Sequence, residues 1–131
     1  MSEKAKILLV DDDADFVEST KIVLESKYEV IVAVNGDEGL RKAREAKPDL
    51  ILLDIIMPVE DGFTAAEHLK KDPKLSKIPL LMLTSYSTKG GGTGIPQSRG
   101  YNLEAEDYID KPISPKDLLA IVGKHLKKAG L

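Results

Sequence analysis

The stretch ILLVDDDADF, Ile7 to Phe16, ends an apolar run with four carboxylates in five positions. Consecutive apolar residues without polar alternation fit a strand buried on both faces, as in a parallel sheet. Acids crowded where such a strand stops repel one another, so their clustering calls for a compensating partner.

At 131 residues the chain suits one domain and is too short for two ordinary ones. A net charge of -3 and a pI near 5.4 argue against a nucleic-acid footprint, which needs clustered Lys and Arg. The absence of cysteine excludes disulfides, zinc-thiolate sites and Cys nucleophiles. No apolar stretch approaches the roughly eighteen residues needed to span a bilayer, and cytoplasmic residence without membrane contact is the expectation.

Outward from the opening stretch, short apolar runs alternate with segments of helical period, the pattern of a parallel sheet with crossover helices. Strands are expected at Lys6 to Val10, Glu29 to Ala33, Leu50 to Leu53, Leu80 to Leu83 and Tyr108 to Asp110. Phe16, Thr20, Val23 and Leu24 form one helical stripe, with Glu18, Lys21 and Glu25 facing outward. Asp37 to Ala46 reads as a second helix stopped by Lys47-Pro48, and Phe63 to Lys71 as a third ending before Pro73. Ser114 as N-cap and Pro115 at the first helical position open the last helix, which buries Leu118, Leu119, Ile121, Val122 and Leu126 and stops at Gly130. His68 and His125 stand alone on helices and read as surface or boundary residues.

One segment breaks the rhythm. Where a helix is due after the fourth strand, the chain reads SYSTKGGGTGIPQSRGYN, with five glycines and a proline. At about 1 kcal/mol per Gly and about 3 for Pro, a helix through Gly90 to Gly100 would be penalised by roughly 8 kcal/mol. A long loop is expected there, with at most one helical turn near Leu103 to Glu106. The KGGGTG within it lacks the GK[ST] and following helix of a nucleotide loop.

Ligands of open parallel sheets sit beyond the carboxyl ends of the strands, where the strand order reverses. Asp11, Asp12 and Asp13 follow the first strand and Asp54 the third, and in the order 2-1-3-4-5 these strands are neighbours across that point. A hard divalent cation would neutralise the cluster, and Mg²⁺ commonly takes one or two carboxylates plus waters and phosphate oxygens. It would also screen phosphoryl charge approaching a carboxylate nucleophile. Thr84 and Lys111 follow the fourth and fifth strands and would bind the oxygens of a phosphoryl group on Asp54. Taken singly, each has a plainer role: the acids as helix caps, Asp54 as a turn residue, Thr84 as a buried hydroxyl, Lys111 as a surface lysine. Their joint appearance at four strand ends favours a site.

With "ILLVDDDADF", "KPDLILLDIIMPVEDGF", "KIPLLMLTS" and "DYIDKPIS" in this order, nearly the whole chain resembles the receiver domains of two-component response regulators, in particular the single-domain, chemotaxis-regulator-like type. The resemblance implies a flavodoxin-like, doubly wound five-stranded α/β fold of order 2-1-3-4-5, here with the fourth helix largely replaced by the Gly-rich loop. By position, Asp11 and Asp12 resemble the acidic pair that holds Mg²⁺, with Mn²⁺ as an alternative, and Asp54 the phosphorylated aspartate. The backbone carbonyl of Ile56 would complete the metal site. Thr84 resembles the hydroxyl that moves toward the phosphoryl group, Lys111 the lysine of the site, and Tyr108 the switch aromatic. Ile56 and Tyr86 occupy the positions that tune hydrolysis by controlling water access. Asp13 matches a variable position and receives no role. Pro58 and Gly62 fall where the family turns into its third helix.

The implied function is transfer of a phosphoryl group to Asp54 from a phosphohistidine on a sensor histidine kinase or histidine phosphotransfer protein, followed by slow hydrolysis. Only one helix follows Lys111, so the expectation is a single receiver domain over 1–131, without an output domain, that signals by contact with a protein target rather than with nucleic acid. It would be no enzyme beyond its own phosphorylation and dephosphorylation. Two alternatives remain. A phosphohydrolase of the haloacid dehalogenase type would use Asp11 and Asp13 as a D-x-D pair, although Ala14 stands where that pattern has glycine. A receiver fold serving as an unphosphorylated binding module is the other.

Overall fold

The computed structural model describes residues 4–54, 62–84, 107–110 and 113–130, with side chains for all except 62–66, 84, 107, 108 and 110. Among them the order is β1 (Lys6–Val10), α1 (Ala14–Glu25), β2 (Glu29–Ala33), α2 (Gly36–Ala46), β3 (Leu50–Asp54), α3 (Gly62–Lys71), β4 (Leu80–Thr84), β5 (Asp107–Asp110) and α4 (Pro115–Lys128). The strands form one parallel sheet in the order β2-β1-β3-β4-β5, as the sequence pattern predicts.

Handedness distributes the helices. Right-handed crossovers place α1, on the way from β1 outward to β2, on one face, and α2 and α3, on connections running the other way, on the opposite face. Period-2 alternation then divides the strand side chains. Leu8, Val10, Ala33, Ile51, Leu53, Leu80 and Met82 pack with Leu40 and Ala43 of α2 and Leu69 of α3. Ile7, Leu9, Leu50, Leu52, Leu81, Leu83 and Ile109 pack with Leu24 of α1 and Leu118, Val122 and Leu126 of α4. β1 and β3 are buried on both faces, which is why their sequences lack alternation.

The β1–β3 register is pinned at its start by reciprocal bonds. The Lys6 N–H donates to Asp49 Oδ2 at 2.8 Å, and the Asp49 N–H donates to the Lys6 carbonyl at 2.8 Å. The offset of 43 residues set there continues through Ile7↔Leu50 to Val10↔Leu53.

Helix ends follow the expected chemistry with small shifts. The Ser114 hydroxyl accepts from the Asp117 N–H at 3.1 Å, with Pro115 in the first turn, and Gly130 beyond α4 has φ 90°. α2 begins at Gly36, one residue earlier than predicted, because Asn35 caps it by accepting from the Glu38 N–H at 2.9 Å. Lys47 ends it in the left-handed region, φ 49°, outside the right-handed helical region that Pro48 disfavours for it. The expected outward face of α1 carries a Lys21–Glu25 ion pair at 3.9 Å.

Gly39 lets α2 approach the sheet: a Cβ there would stand 2.9 and 3.1 Å from the two methyl carbons of Val10. Val10 is buried and stiff about χ1, so it yields little. Gly39→Ala is therefore expected to destabilise the fold by about 1 kcal/mol, overpacking of about 2 kcal/mol being half offset by the better helix propensity of Ala. A thermal midpoint below wild type is the checking measurement.

Some expectations change. β3 and β4 each run one residue further than predicted, so Asp54 and Thr84 end their strands rather than follow them, and β5 starts one residue earlier at Asp107. His68 is exposed, as expected. His125 is 4 % exposed, against the surface or boundary position read from sequence: it sits three residues after Val122, on the side of α4 that meets the sheet. The predicted Gly-rich loop, the turn near Leu103 to Glu106, Pro58 and the Lys111-Pro112 pair lie outside the described residues.

Candidate functional site

Extending the β1–β3 register by one step sets Asp11 beside Asp54 at the carboxyl ends of two adjacent inner strands. The Asp11 N–H donates to the Ala33 carbonyl at 3.0 Å, which carries the ladder with β2 one residue past β1. One carboxylate oxygen from each of Asp11, Asp12 and Asp54 lies within 4.8 Å of the other two. Asp11 is 0 % and Asp54 5 % exposed, whereas Asp12 is open to solvent, so the cluster has a buried floor and one acid at its mouth.

Two charges at that distance repel by about 1 kcal/mol in water and about 3 to 4 at an effective dielectric near 20. The three acids offer hard oxygen donors only, and a few carboxylates with room left for water or phosphate oxygens match what Mg²⁺ takes. The residues present thus fit a divalent cation.

Asp13 turns away from this cluster. As N-cap of α1 it accepts from the N–H groups of Asp15 and Phe16 at 3.1 and 3.2 Å, while its own N–H donates to Asp11 Oδ1 at 2.9 Å. Capping, the plainer explanation of the acidic run, therefore holds for Asp13, while Asp11 and Asp12 meet Asp54. The family resemblance gave Asp13 no role at the site, and an Asp directly before a helical stripe is an N-cap signal.

Thr84 ends β4 in register with Asp110, one step beyond Leu83, the partner of Asp54. Tyr108 lies in β5 opposite Met82. For both, the backbone alone is described. Lys111, Ile56 and Tyr86 lie outside the described residues. α1 and the start of α4 border an open groove of about 360 Å³ lined by Asp15, Phe16, Val23, Ile113, Pro115 and Leu118 among others. No helix among the described residues is long and apolar enough to cross a membrane.

The family model for the response regulator receiver domain matches residues 7–123. The alkaline phosphatase synthesis transcriptional regulatory protein PhoP of Bacillus subtilis is 38% identical over 125 residues, covering 95% of this chain and 49% of that protein. The DNA-binding dual master transcriptional regulator RpaA of Synechocystis is 36% identical over 124 residues, covering 94% and 49%. The chain spans about half the length of the curated relatives it matches.

Among solved structures, a CheY-like response regulator receiver domain protein from Methanospirillum hungatei is 34% identical with a TM-score of 0.83, covering 97% of this chain and 96% of that one. The receiver domain of a sensor histidine kinase from Pseudomonas aeruginosa, which holds a magnesium ion in its active site cleft, is 25% identical with a TM-score of 0.83, covering 95% and 98%. Sequence, strand order and the acids gathered at the switch point agree, and the chain belongs to the response regulator receiver domain family.

Proposed function

We propose that Asp54 is the phosphoacceptor of this receiver and that Asp11 and Asp12, with Asp54, hold the Mg²⁺ on which acceptance depends. The observation that carries this reading is the convergence of the three carboxylates at the β1–β3 switch point. A carboxylate oxygen of Asp54 attacks the phosphorus of a phosphohistidine. The P–N bond breaks, the electron pair leaves with the imidazole, and an acyl phosphate forms on Asp54. Bound Mg²⁺ supplies charge neutralisation for the transferring group. Thr84 and Lys111 would bind the phosphoryl oxygens, Thr84 and Tyr108 would relay the modified state, and the Ile56 carbonyl would join the cation's ligands.

The donor is a sensor histidine kinase or a histidine phosphotransfer protein, and the output is contact with a protein target. The α1–α4 groove offers the donor apolar ground along the first turns of α1. The compartment proposed for this chemistry is the cytoplasm. Turnover is limited to the chain's own phosphorylation and dephosphorylation.

Asp13 weighs against the hydrolase alternative. A D-x-D mechanism needs its second aspartate aimed into the site, whereas Oδ1 of Asp13 accepts from two N–H groups of the first turn of α1. Incubation with a small acyl phosphate and Mg²⁺, followed by mapping of the modified residue, tests the reading. Modification of Asp54 supports it, modification of Asp11 favours the hydrolase, and no uptake favours the unphosphorylated binding module.

Ile56 and Tyr86 are proposed to shield the acyl phosphate from water, one by an apolar and the other by a bulky side chain. Replacing both with small polar residues should raise the autodephosphorylation rate about tenfold, a barrier change of about 1.4 kcal/mol. An unchanged decay of the phosphorylated chain would refute this role.

A further inference from the structure

We propose that Asp13 is a positioning residue for the cation site: it directs the carboxylate of Asp11 through a backbone N–H that its own side chain holds in place. The inference rests on the phosphoreceiver reading, since it concerns the Mg²⁺ that Asp11 would hold.

Three consecutive acids behave differently. Asp11 and Asp12 contribute oxygens to the cluster, while Asp13 contributes none and instead joins the cluster to α1. Its two bonding functions use different atoms. The carboxylate accepts from Asp15 and Phe16, which fixes Asp13 in the extended conformation of an N-cap, φ −83° and ψ 102°. In that conformation its N–H reaches Asp11 Oδ1 at 2.9 Å. One carboxylate oxygen of Asp11 is thus oriented by the residue two places on, while the Asp11 backbone is tied to Ala33.

The geometry also explains how a third acid is tolerated here. The N-terminus of α1 absorbs part of the Asp13 charge, so that it adds less to the repulsion among Asp11, Asp12 and Asp54. Without the cap, residues 12–14 gain conformational freedom. The Asp11 carboxylate must then be ordered at the cost of binding energy.

The test uses the full chain and Mg²⁺ alone, with affinity read from backbone amide NMR shifts and stability from thermal melts. Asp13→Ala should weaken Mg²⁺ binding about fivefold, the loss of one cap converted at tenfold per 1.4 kcal/mol. Asp13→Asn and Asp13→Ser, which cap without charge, should stay within about twofold of wild type. Asp13→Glu, which keeps the charge on a stem too long to cap, should resemble Asp13→Ala and replaces it if that variant does not fold. Asn35→Ala removes the cap of α2 instead and should lower the melting temperature without changing Mg²⁺ affinity.

Wild-type affinity in Asp13→Ala or Asp13→Glu would overturn the proposal in favour of capping alone. Asn and Ser variants as weak as Asp13→Ala would overturn it in favour of a charge effect. A wild-type chain whose amides near residues 11–13 and 54 ignore Mg²⁺ would remove the phosphoreceiver reading itself, and this inference with it.

Discussion

Asp54→Asn is expected to abolish phosphoryl uptake from a small acyl phosphate in the presence of Mg²⁺, by on the order of 10³-fold or more, since removal of a nucleophile eliminates the step itself. The substitution is nearly isosteric at a buried strand end, so β3 and its register should persist and the loss should be chemical rather than structural. Asp11 and Asp12 remain, and Mg²⁺ binding should be weakened but still detectable. Mass spectrometry of the intact chain checks the result. Uptake that survives in Asp54→Asn and vanishes in Asp11→Asn would transfer the chemistry to the first strand and to the hydrolase alternative.

The second large effect concerns stability. Asp11 is the most deeply buried member of the cluster, and a carboxylate oxygen of each of its neighbours lies within 4.8 Å of one of its own. Asp11→Asn keeps an amide oxygen that can accept the Asp13 N–H while deleting the charge. In EDTA this variant should be more stable than wild type by about 2 kcal/mol, a figure below the full repulsion of a buried pair because solvent reaches the mouth of the cluster. With Mg²⁺ the order should reverse. Wild type gains about 2.7 kcal/mol at a hundredfold excess over its dissociation constant, whereas the variant should gain little. Thermal melts in the two buffers are the measurement. A variant less stable than wild type in EDTA would show that repulsion is not what the cation relieves.

The fold was legible because its inner strands are buried on both faces. LLV before Asp11 and LILL before Asp54 have too few polar residues for any one-sided element, and helical stripes between them leave little choice of layer. The convergence of Asp11, Asp12 and Asp54 was legible for the same reason, once strand order put β1 beside β3.

Two features escaped for different causes. His125 lies on the same side of α4 as Leu118 and Val122, but its polarity suggested solvent, and periodicity was the better guide. Asp13 received no site role because it matches a variable family position, and capping was read for the acidic run as a whole without singling out Asp13, whose place before Ala14 and Phe16 fits an N-cap. Strand ends were off by one at Asp54, Thr84 and Asp107, because sequence marks where apolar residues stop rather than where backbone pairing stops.

The reciprocal Lys6–Asp49 bonds have a dynamic consequence. They fasten the two strands that carry Asp11 and Asp54 at the end opposite the acids, in the middle of the sheet. Fraying begins at edges and chain ends, so the amides of these strands should exchange with solvent hydrogen only through global unfolding. Asp54, the proposed acceptor, would then remain correctly set for as long as the molecule stays folded, and partial opening elsewhere would leave its readiness untouched.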